Sequence, residues 1–418
     1  MNTTFLRIFR RLVQKGNLTL ILSSGERAIL GDGSGVPVTV RTLDEEAERA
    51  ILRDPGLRFG EMYVEGRIVI DEGNIFDLLS MVKANGMEKA ATISNTATAL
   101  LHVAEQQIKS RLPVNRNKHN VAHHYDLDGK LFDLFLDQDW QYSCAYFDPP
   151  GISLDEAQTA KKRHIAAKLL LEAGQSVLEV GSGWGGMGMY LAESSGVDVT
   201  GITLSEEQLK VSRTRAQKRG LEERVRFELQ DYRTMVDRQF DRIVSVGMFE
   251  HVGMANYGNF FTKMAGLLAP KGVMVLHSIG QAEKPWATNP WIEKYIFPGG
   301  YMPALSEVVP AIEKARLVIR DIEILPMHYA HTLRAWRERF TARKEEAVRL
   351  YDERFFRMWE FYLASSETAF LYDKLSIFQI QLSHRLEAVP YTRNYIGERE
   401  GRLRAFEKTR PPLEPVEF

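Results

Sequence analysis

Cysteine is nearly missing from this chain, with one residue, Cys144, in 418. A single thiol cannot staple the chain to itself, so an internal disulfide framework is excluded and a reducing compartment such as the cytosol is expected. Charge of one sign is missing as well. Lys and Arg number 54 against 55 Asp and Glu, a net charge of −1 that gives no bulk pull toward nucleic acid. No apolar run reaches the roughly 18 residues that a spanning helix needs. Internal repeats and low-complexity tracts are absent too. What remains, 44% apolar and 26% charged, is ordinary for globular domains, and 418 residues suits one large domain with a smaller one.

The first fifteen residues place Phe5, Phe9, Leu12 and Val13 at helical spacing, with Arg7, Arg10, Arg11 and Lys15 interspersed and no acid before Glu26. They lack the continuous apolar core and small-residue cleavage site of a signal peptide. Two readings stay open: a helix lying on an anionic bilayer surface, or a docked amphipathic helix with a solvated basic face.

Three parts follow along the chain. Residues 1–83 read as a small α+β module, with strand-like runs at Leu18 to Leu22, Val38 to Val40 and Arg67 to Ile70, and a turn at Gly31-Asp-Gly-Ser-Gly35. Residues 84–118, rich in Ala, Asn and Thr and then basic, read as a linker containing one helix. From 119 to 418 strand and helix patterns alternate, with strands at 176–180, 197–203, 224–229, 240–246 and 272–278. That alternation predicts an α/β fold whose mostly parallel sheet is covered on both faces.

The most informative stretch is Ser176-Val-Leu-Glu-Val-Gly-Ser-Gly-Trp-Gly-Gly186, a short apolar strand running into glycines, followed by a helical segment from Met187 to Ala192. Gly181 and Gly183 let the backbone turn sharply and approach a ligand, and the following helix offers unpaired N–H groups. The spelling suits a dinucleotide or S-adenosylmethionine. A dinucleotide fold needs an acid at the tip of the second strand to hold ribose hydroxyls. Here that strand runs Val197 to Thr203 and ends in Thr203-Leu-Ser-Glu-Glu-Gln208. Asp198 stands at its beginning, while Glu206 and Glu207 suit the first turn of a helix capped by Ser205. The dinucleotide reading therefore recedes.

Ligand-binding residues of such sheets collect beyond the carboxyl ends of the strands. Those ends supply Gly181, Gly183, Thr203, Gln230-Asp231-Tyr232, Gly247-Met-Phe-Glu250-His251 and His277-Ser-Ile279. Gln230 and Asp231 suit an adenine edge. A lone histidine at a strand end is often only a structural hydrogen-bonder. With Glu250 on the adjacent strand tip, His277 becomes part of a candidate acid–base or anion-holding pair.

The catalytic half resembles the cyclopropane fatty acid synthases and their mycolic acid relatives. The resemblance lies in His124-Tyr-Asp-Leu127, Gln141-Tyr-Ser-Cys-Ala-Tyr-Phe147, Val177 to Gly186, Gly201 to Gln208, Val244 to Gly253 and Leu276-His-Ser-Ile279. Tyr295-Ile-Phe-Pro-Gly-Gly300 and His328-Tyr-Ala-His-Thr-Leu-Arg-Ala-Trp336 complete it. It runs from about residue 119 to the C-terminus and more loosely into the N-terminal module. It implies a class I methyltransferase, a Rossmann-like doubly wound sheet with a smaller N-terminal α+β module. It places Tyr142, Ser143, Gly181, Gly183, Thr203, Gln208, Asp231 and Tyr232 at S-adenosylmethionine. It places the Cys144 backbone, Glu250, His277, Ile279 and Tyr329 around a bicarbonate ion, with no metal. Ser182 departs from the cysteine of many relatives. The implied partners are unsaturated phospholipid acyl chains, met from the cytoplasm at the inner membrane face, with a homodimer as one assembly open to it.

The implied reaction is transfer of a sulfonium methyl to a cis alkene, a carbocation beside the new methyl, and ring closure once a base removes a proton. A water-poor pocket is required, and Tyr125, Tyr146, Phe147, Tyr257, Phe260 and Phe261 are candidates to stabilise the cation. A sister enzyme would take the same cation to a methylene or methyl branch. A lipid-binding protein with an inactive methyltransferase half fits poorly with the intact Glu250, His277 and Tyr329. Cys144, which has no base beside it in its motif, reads as a buried structural residue rather than a nucleophile. The aromatics Trp336, Phe340, Phe355, Phe356, Trp359 and Phe361 read as core. The basic run Arg334, Arg337, Arg339, Arg343 and Lys344 reads as a helix face, with lipid phosphates as the alternative.

Overall fold

The computed structural model describes residues 2–86, 129–283 and 285–409, with side chains from residue 5 onward. The expected linker, beyond residue 86, and Tyr125 with the His124 motif lie outside the described residues. By compactness the chain forms two units that are not contiguous in sequence. One gathers the described residues of 2–86 with Trp286–Pro298 and Leu333–Lys374; the other holds the described residues of 129–285, Gly299–Thr332 and 375–409.

The first unit carries a four-stranded sheet in the order β2-β1-β3-β4, with β1 at Asn17–Ile21, β2 at Arg27–Leu30, β3 at Pro37–Thr42 and β4 at Ile68–Glu72. Gly31 has φ +90, and a Cβ there would sit 2.2 Å from the Gly16 carbonyl oxygen, so this turn admits only glycine. The N-terminal helix Asn2–Leu12 is docked: Phe5, Leu6 and Val13 are buried and Phe5 stacks on Phe9. Its Arg7, Arg10 and Arg11 remain exposed. Of the C-terminal aromatics expected as core, Trp336, Phe340, Phe356, Trp359 and Phe361 are buried, while Phe355 is only half-buried, stacked with Tyr351 and Trp359. The basic run is largely occupied within this unit. Arg334 and Arg337 both pair with the fully buried Glu367, Arg337 also lies over the Phe76 ring, and Arg343 pairs with Glu346.

The second unit is a seven-stranded sheet in the order β10-β11-β9-β8-β5-β6-β7. The strands are β5 Ser176–Val180, β6 Asp198–Thr203, β7 Val225–Leu229, β8 Phe240–Val246, β9 Leu268–Gln281, β10 Val318–Leu325 and β11 Leu375–Ser383. Strands β5 to β9 run parallel, and β11 is antiparallel to both its neighbours. Strand order reverses between β5 and β8, the position where such sheets open a crevice for ligands. The five expected strands are all present; β10 and β11 extend the sheet. Apolar clusters lie on both of its faces, one around Leu191, Phe227 and Val275, the other around Phe249, Phe260 and Phe378.

The helix Leu154–Leu169 starts on a capping box, with Ser153 and Glu156 exchanging hydrogen bonds. Almost all of it is buried, including Lys161, Lys162 and Lys168. Its Lys162 pairs with Asp139, which also accepts from Arg215 at 2.5 Å. Arg215 in turn donates to the Trp184 carbonyl at 2.6 Å, so one buried carboxylate ties the segment before Tyr142 to the glycine turn. Burial raises the Asp139 pKa, but Lys162 and Arg215 overcome that and hold it well below the usual carboxylate range. Asp139→Asn would leave two buried cations underpaired. The expected loss is about 3–5 kcal/mol of unfolding free energy, read by urea denaturation near neutral pH; an unchanged midpoint would refute this role.

Candidate active site

The glycine turn follows β5 with Gly181 at φ +84 and Gly183 at φ +51. A Cβ on Gly181 would press on Met248 at 2.8 Å, whereas one on Gly183 would enter open space. Beside it the Ser182 hydroxyl is buried with no hydrogen-bond partner among the described residues. At the tip of β6, Thr203 Oγ1 donates to Gln208 Oε1 at 2.8 Å, and Ser205 caps the next helix by accepting from the Gln208 N–H. Glu206 and Glu207 occupy that helix's first turn, and Asp198 opens β6 at its far end, as expected. Beyond β7, Asp231 accepts from Arg233 Nε at 2.8 Å and from its second guanidinium nitrogen, so its carboxylate is already forked to an arginine. Tyr232 packs edge-on against Phe260.

Tyr142, Ser143 and Cys144 lie on an irregular segment held from several sides. Gln158 Nε2 donates to the Ser143 carbonyl at 2.9 Å, Lys161 Nζ donates to Ser143 Oγ at 2.7 Å, and the Ala145 N–H donates to Thr332 Oγ1 at 3.0 Å. Tyr142 stands edge-on to Phe132. Cys144 is 1% exposed, and burial pushes its thiol up to about 12. A thiol so reluctant to ionise is no nucleophile near neutral pH.

Glu250 follows β8 on a single 3₁₀ turn, and His277 lies on neighbouring β9. Glu250 Oε1 accepts from the Ile279 N–H at 2.7 Å, two residues along from His277, and the Gly247 N–H donates to the His277 carbonyl at 2.9 Å. The Ile279 amide therefore orients the carboxyl. Glu250 Oε2 and His277 Nε2 are both buried with no hydrogen-bond partner among the described residues. Burial pushes the Glu250 carboxyl up to about 7, against the hydrogen bond from Ile279. Burial, helped by the Lys161 and Lys168 charges, holds His277 well below its ordinary value and so neutral. Cys144, Leu325 and Ile377 form a small apolar cluster with Tyr146, Ile279 and Tyr329 packed against it. The five residues expected around an anion thus fall in one neighbourhood, Cys144, Ile279 and Tyr329 through this cluster and Glu250 through the Ile279 amide, with His277 two residues along β9.

The aromatics divide differently from expectation. Tyr257, Phe260 and Phe261 are core residues packed with Phe249. Tyr146 stacks with both His164 and His328, and Phe147 lies edge-on to His331. Residues that the sequence did not single out are Gln158, Lys161, Lys168, Thr332 and Gln379. They meet the site only through tertiary contacts, and no spacing signals them.

The chain matches the model of the mycolic acid cyclopropane synthetase family over residues 113–380. It is 36% identical over 361 residues to the cyclopropane-fatty-acyl-phospholipid synthase of Escherichia coli K12, covering 86% of this chain and 92% of that one. It is 33% identical to the tuberculostearic acid methyltransferase UfaA1 of Mycobacterium tuberculosis, covering 89% of each. Among solved structures it resembles the cyclopropane synthase MmaA2 of Mycobacterium tuberculosis, with a TM-score of 0.59 at 30% identity, covering 65% of this chain and 99% of that one.

The raised Glu250 pKa has a stability consequence. The folded state binds the proton more tightly than the unfolded chain, so the stabilisation is complete below pH 4.5 and is lost as pH rises through about 7. Glu179, buried and pushed up to about 8, behaves likewise and is common to wild type and variant. Glu250→Gln should therefore flatten the decline in unfolding free energy between about pH 5 and pH 8, by on the order of 3 kcal/mol at most. Parallel pH profiles for the two proteins would rule out a protonated buried Glu250.

Proposed function

Because this chain belongs to the mycolic acid cyclopropane synthetase family, whose fold and S-adenosylmethionine-dependent methyl transfer it shares, we propose that it cyclopropanates unsaturated acyl chains of membrane phospholipids. The observation that carries this reading is the pair of buried, unpartnered atoms, Glu250 Oε2 and His277 Nε2, beside the apolar cluster of Cys144, Ile279 and Tyr329. When bound, S-adenosylmethionine supplies a methyl on a sulfonium that carries its own leaving group, and bicarbonate supplies a base for one methyl proton.

The residues present fit both groups. The open space at Gly183 and the small, orphaned Ser182 leave room beside the glycine turn for the methionine part. Thr203, Gln208, Asp231 and Tyr232 stand beyond β6 and β7, where the adenosyl part belongs, with Tyr142 and Ser143 on the irregular segment. A neutral His277 offers an N–H and a protonated Glu250 an O–H, so both can donate to an anion without adding buried charge. Tyr329 is the third holder. Cys144, Leu325 and Ile377 keep water from the acyl chain, which protects a carbocation from capture. Among the described candidate aromatics, Tyr146 is the one that adjoins this cluster.

Residues 119–418 carry the chemistry in this reading, and residues 1–83 meet the membrane surface from the cytoplasm. Arg7, Arg10 and Arg11 are exposed while Phe5 and Leu6 are already buried, so the attraction is electrostatic rather than by insertion of the apolar face. Among the described residues no helix is long and apolar enough to cross a membrane. A second reading, a methyl- or methylene-branched product, is favoured by the similarity to the tuberculostearic acid methyltransferase.

Purified protein with S-adenosylmethionine and cis-unsaturated phospholipid vesicles should add one CH2 per acyl chain, leaving no alkene. A new alkene or a saturated branch would favour the second reading. Glu250→Gln should bind S-adenosylmethionine within a few-fold of wild type while turnover falls by roughly 10²–10⁴-fold; full activity would dismiss its role. Reversing Arg7, Arg10 and Arg11 to Glu should release the protein from anionic vesicles, at about 1 kcal/mol per charge removed, and leave cofactor affinity alone. Equal sedimentation of the two proteins would locate attachment elsewhere.

A further inference from the structure

His277 has two ring nitrogens, and a neutral imidazole carries its proton on one of them. Which one decides whether the buried Nε2 is a donor or an acceptor. Gln379 lies directly opposite His277 in the β9–β11 register, with Nε2 of its carboxamide 3.1 Å from His277 Nδ1. Cross-strand partners on one face meet in this way. A carboxamide alone could face the ring with either its oxygen or its nitrogen.

Lys168 removes the ambiguity. Its Nζ lies 2.8 Å from Gln379 Oε1, and an ammonium has three donors and no acceptor, so the carboxamide oxygen must face the lysine. Lys168 is also paired with Glu323, whose Oε2 meets His164 Nε2 at 2.6 Å, and His164 Nδ1 meets Glu400 Oε1 at 2.7 Å. Glu323 is held well below the ordinary carboxylate range: burial raises its pKa, and His164 and Lys168 outweigh that. Burial lowers the Lys168 pKa, and the firm Glu323 carboxylate beside it opposes that and favours the charged lysine. The carboxamide nitrogen then donates to His277 Nδ1, which must be bare, and the ring proton resides on Nε2. Gln379 is 1% exposed, so water does not compete for these contacts.

We propose that Gln379, oriented by Lys168, is a positioning residue that fixes His277 as the Nε2–H tautomer and so presents a buried donor for the anion. This rests on the reading of Glu250 and His277 as anion holders. A carboxylate at position 379 would reverse the polarity. It would accept from Nδ1–H, draw the ring proton there and leave Nε2 without one.

The test is ¹⁵N NMR of full-length protein labelled at histidine, with the His277 signals assigned by their loss in His277→Asn. The wild type should show a neutral ring with Nε2 protonated, Gln379→Glu a ring protonated at Nδ1, and Gln379→Met a mixture of tautomers. Bicarbonate titration should show the half-saturating concentration rising at least about tenfold in Gln379→Glu, with S-adenosylmethionine affinity within a few-fold of wild type. A wild-type ring protonated at Nδ1 overturns the assignment whatever the activities. So does a Gln379→Met ring that keeps the wild-type tautomer. Wild-type turnover indifferent to bicarbonate would overturn the anion reading instead, and the NMR result separates the two failures.

Discussion

A lysine ammonium taken out of water must find charge or hydrogen-bond partners, and the helix Leu154–Leu169 buries three of them. Each partner it recruits belongs to a different piece of the candidate site's surroundings. Lys161 reaches Ser143, Lys162 reaches Asp139, and Lys168 reaches both Glu323 and Gln379. One helix therefore fixes the irregular segment before and at Cys144, the edge strand β10 and the antiparallel β11. His164 on the same helix adds Glu323 and Glu400, which brings in the C-terminal helix Asn394–Glu407. Replacing these contacts by apolar packing would save desolvation but lose the directions in which the polar groups point.

Direction matters because the neighbourhood keeps its own titratable groups neutral. Burial raises Glu250 to about 7 and holds His277 well below its ordinary value, so each is shifted toward its uncharged form. Burial likewise pushes Lys161 down to about 7. A site of neutral donors in an apolar surrounding can hold one small anion without a rival charge next to it. The polarity that remains is carried by the orientation of single N–H and O–H bonds, and these are set at a distance by Lys168 and by the Ile279 amide.

Much of this was legible. The glycine turn, the Ser205 cap, the order of strands 176–180 through 272–278 and the candidate pair Glu250 and His277 follow from local pattern, because each is set within a few residues. What escaped depends on contacts far apart in the chain. The run Leu375-Ser-Ile-Phe-Gln-Ile-Gln-Leu-Ser383 alternates from Phe378 onward as a half-exposed strand would, yet all nine residues are buried, since Gln379 and Gln381 find polar partners inside. Lys161-Lys-Arg-His164 has the composition of a solvated face and lies in the interior instead. The amphipathic stripe of the N-terminal helix was readable, but whether lipid or protein covers it was not, because both offer the same apolar surface.

The contrast between Lys168 and Lys161 shows why pairing, rather than burial, decides what a buried lysine can do here. Both are within 1% of full burial. Burial lowers Lys168 too, but the Glu323 carboxylate beside it opposes that, favours the ammonium and lets it orient Gln379. The nearest polar contact of Lys161 is a neutral hydroxyl, and the acids that act on it, Asp137 and Asp139, only partly offset desolvation. A lysine poised near neutrality beside Ser143 adds little fixed positive charge there. The fold thus uses the same residue type in two regimes along one helix, an ammonium paired with a carboxylate that orients a carboxamide and an amine pushed down to about 7 that holds a hydroxyl. The acids supplied by β10 and by the segment before Tyr142 determine which regime applies.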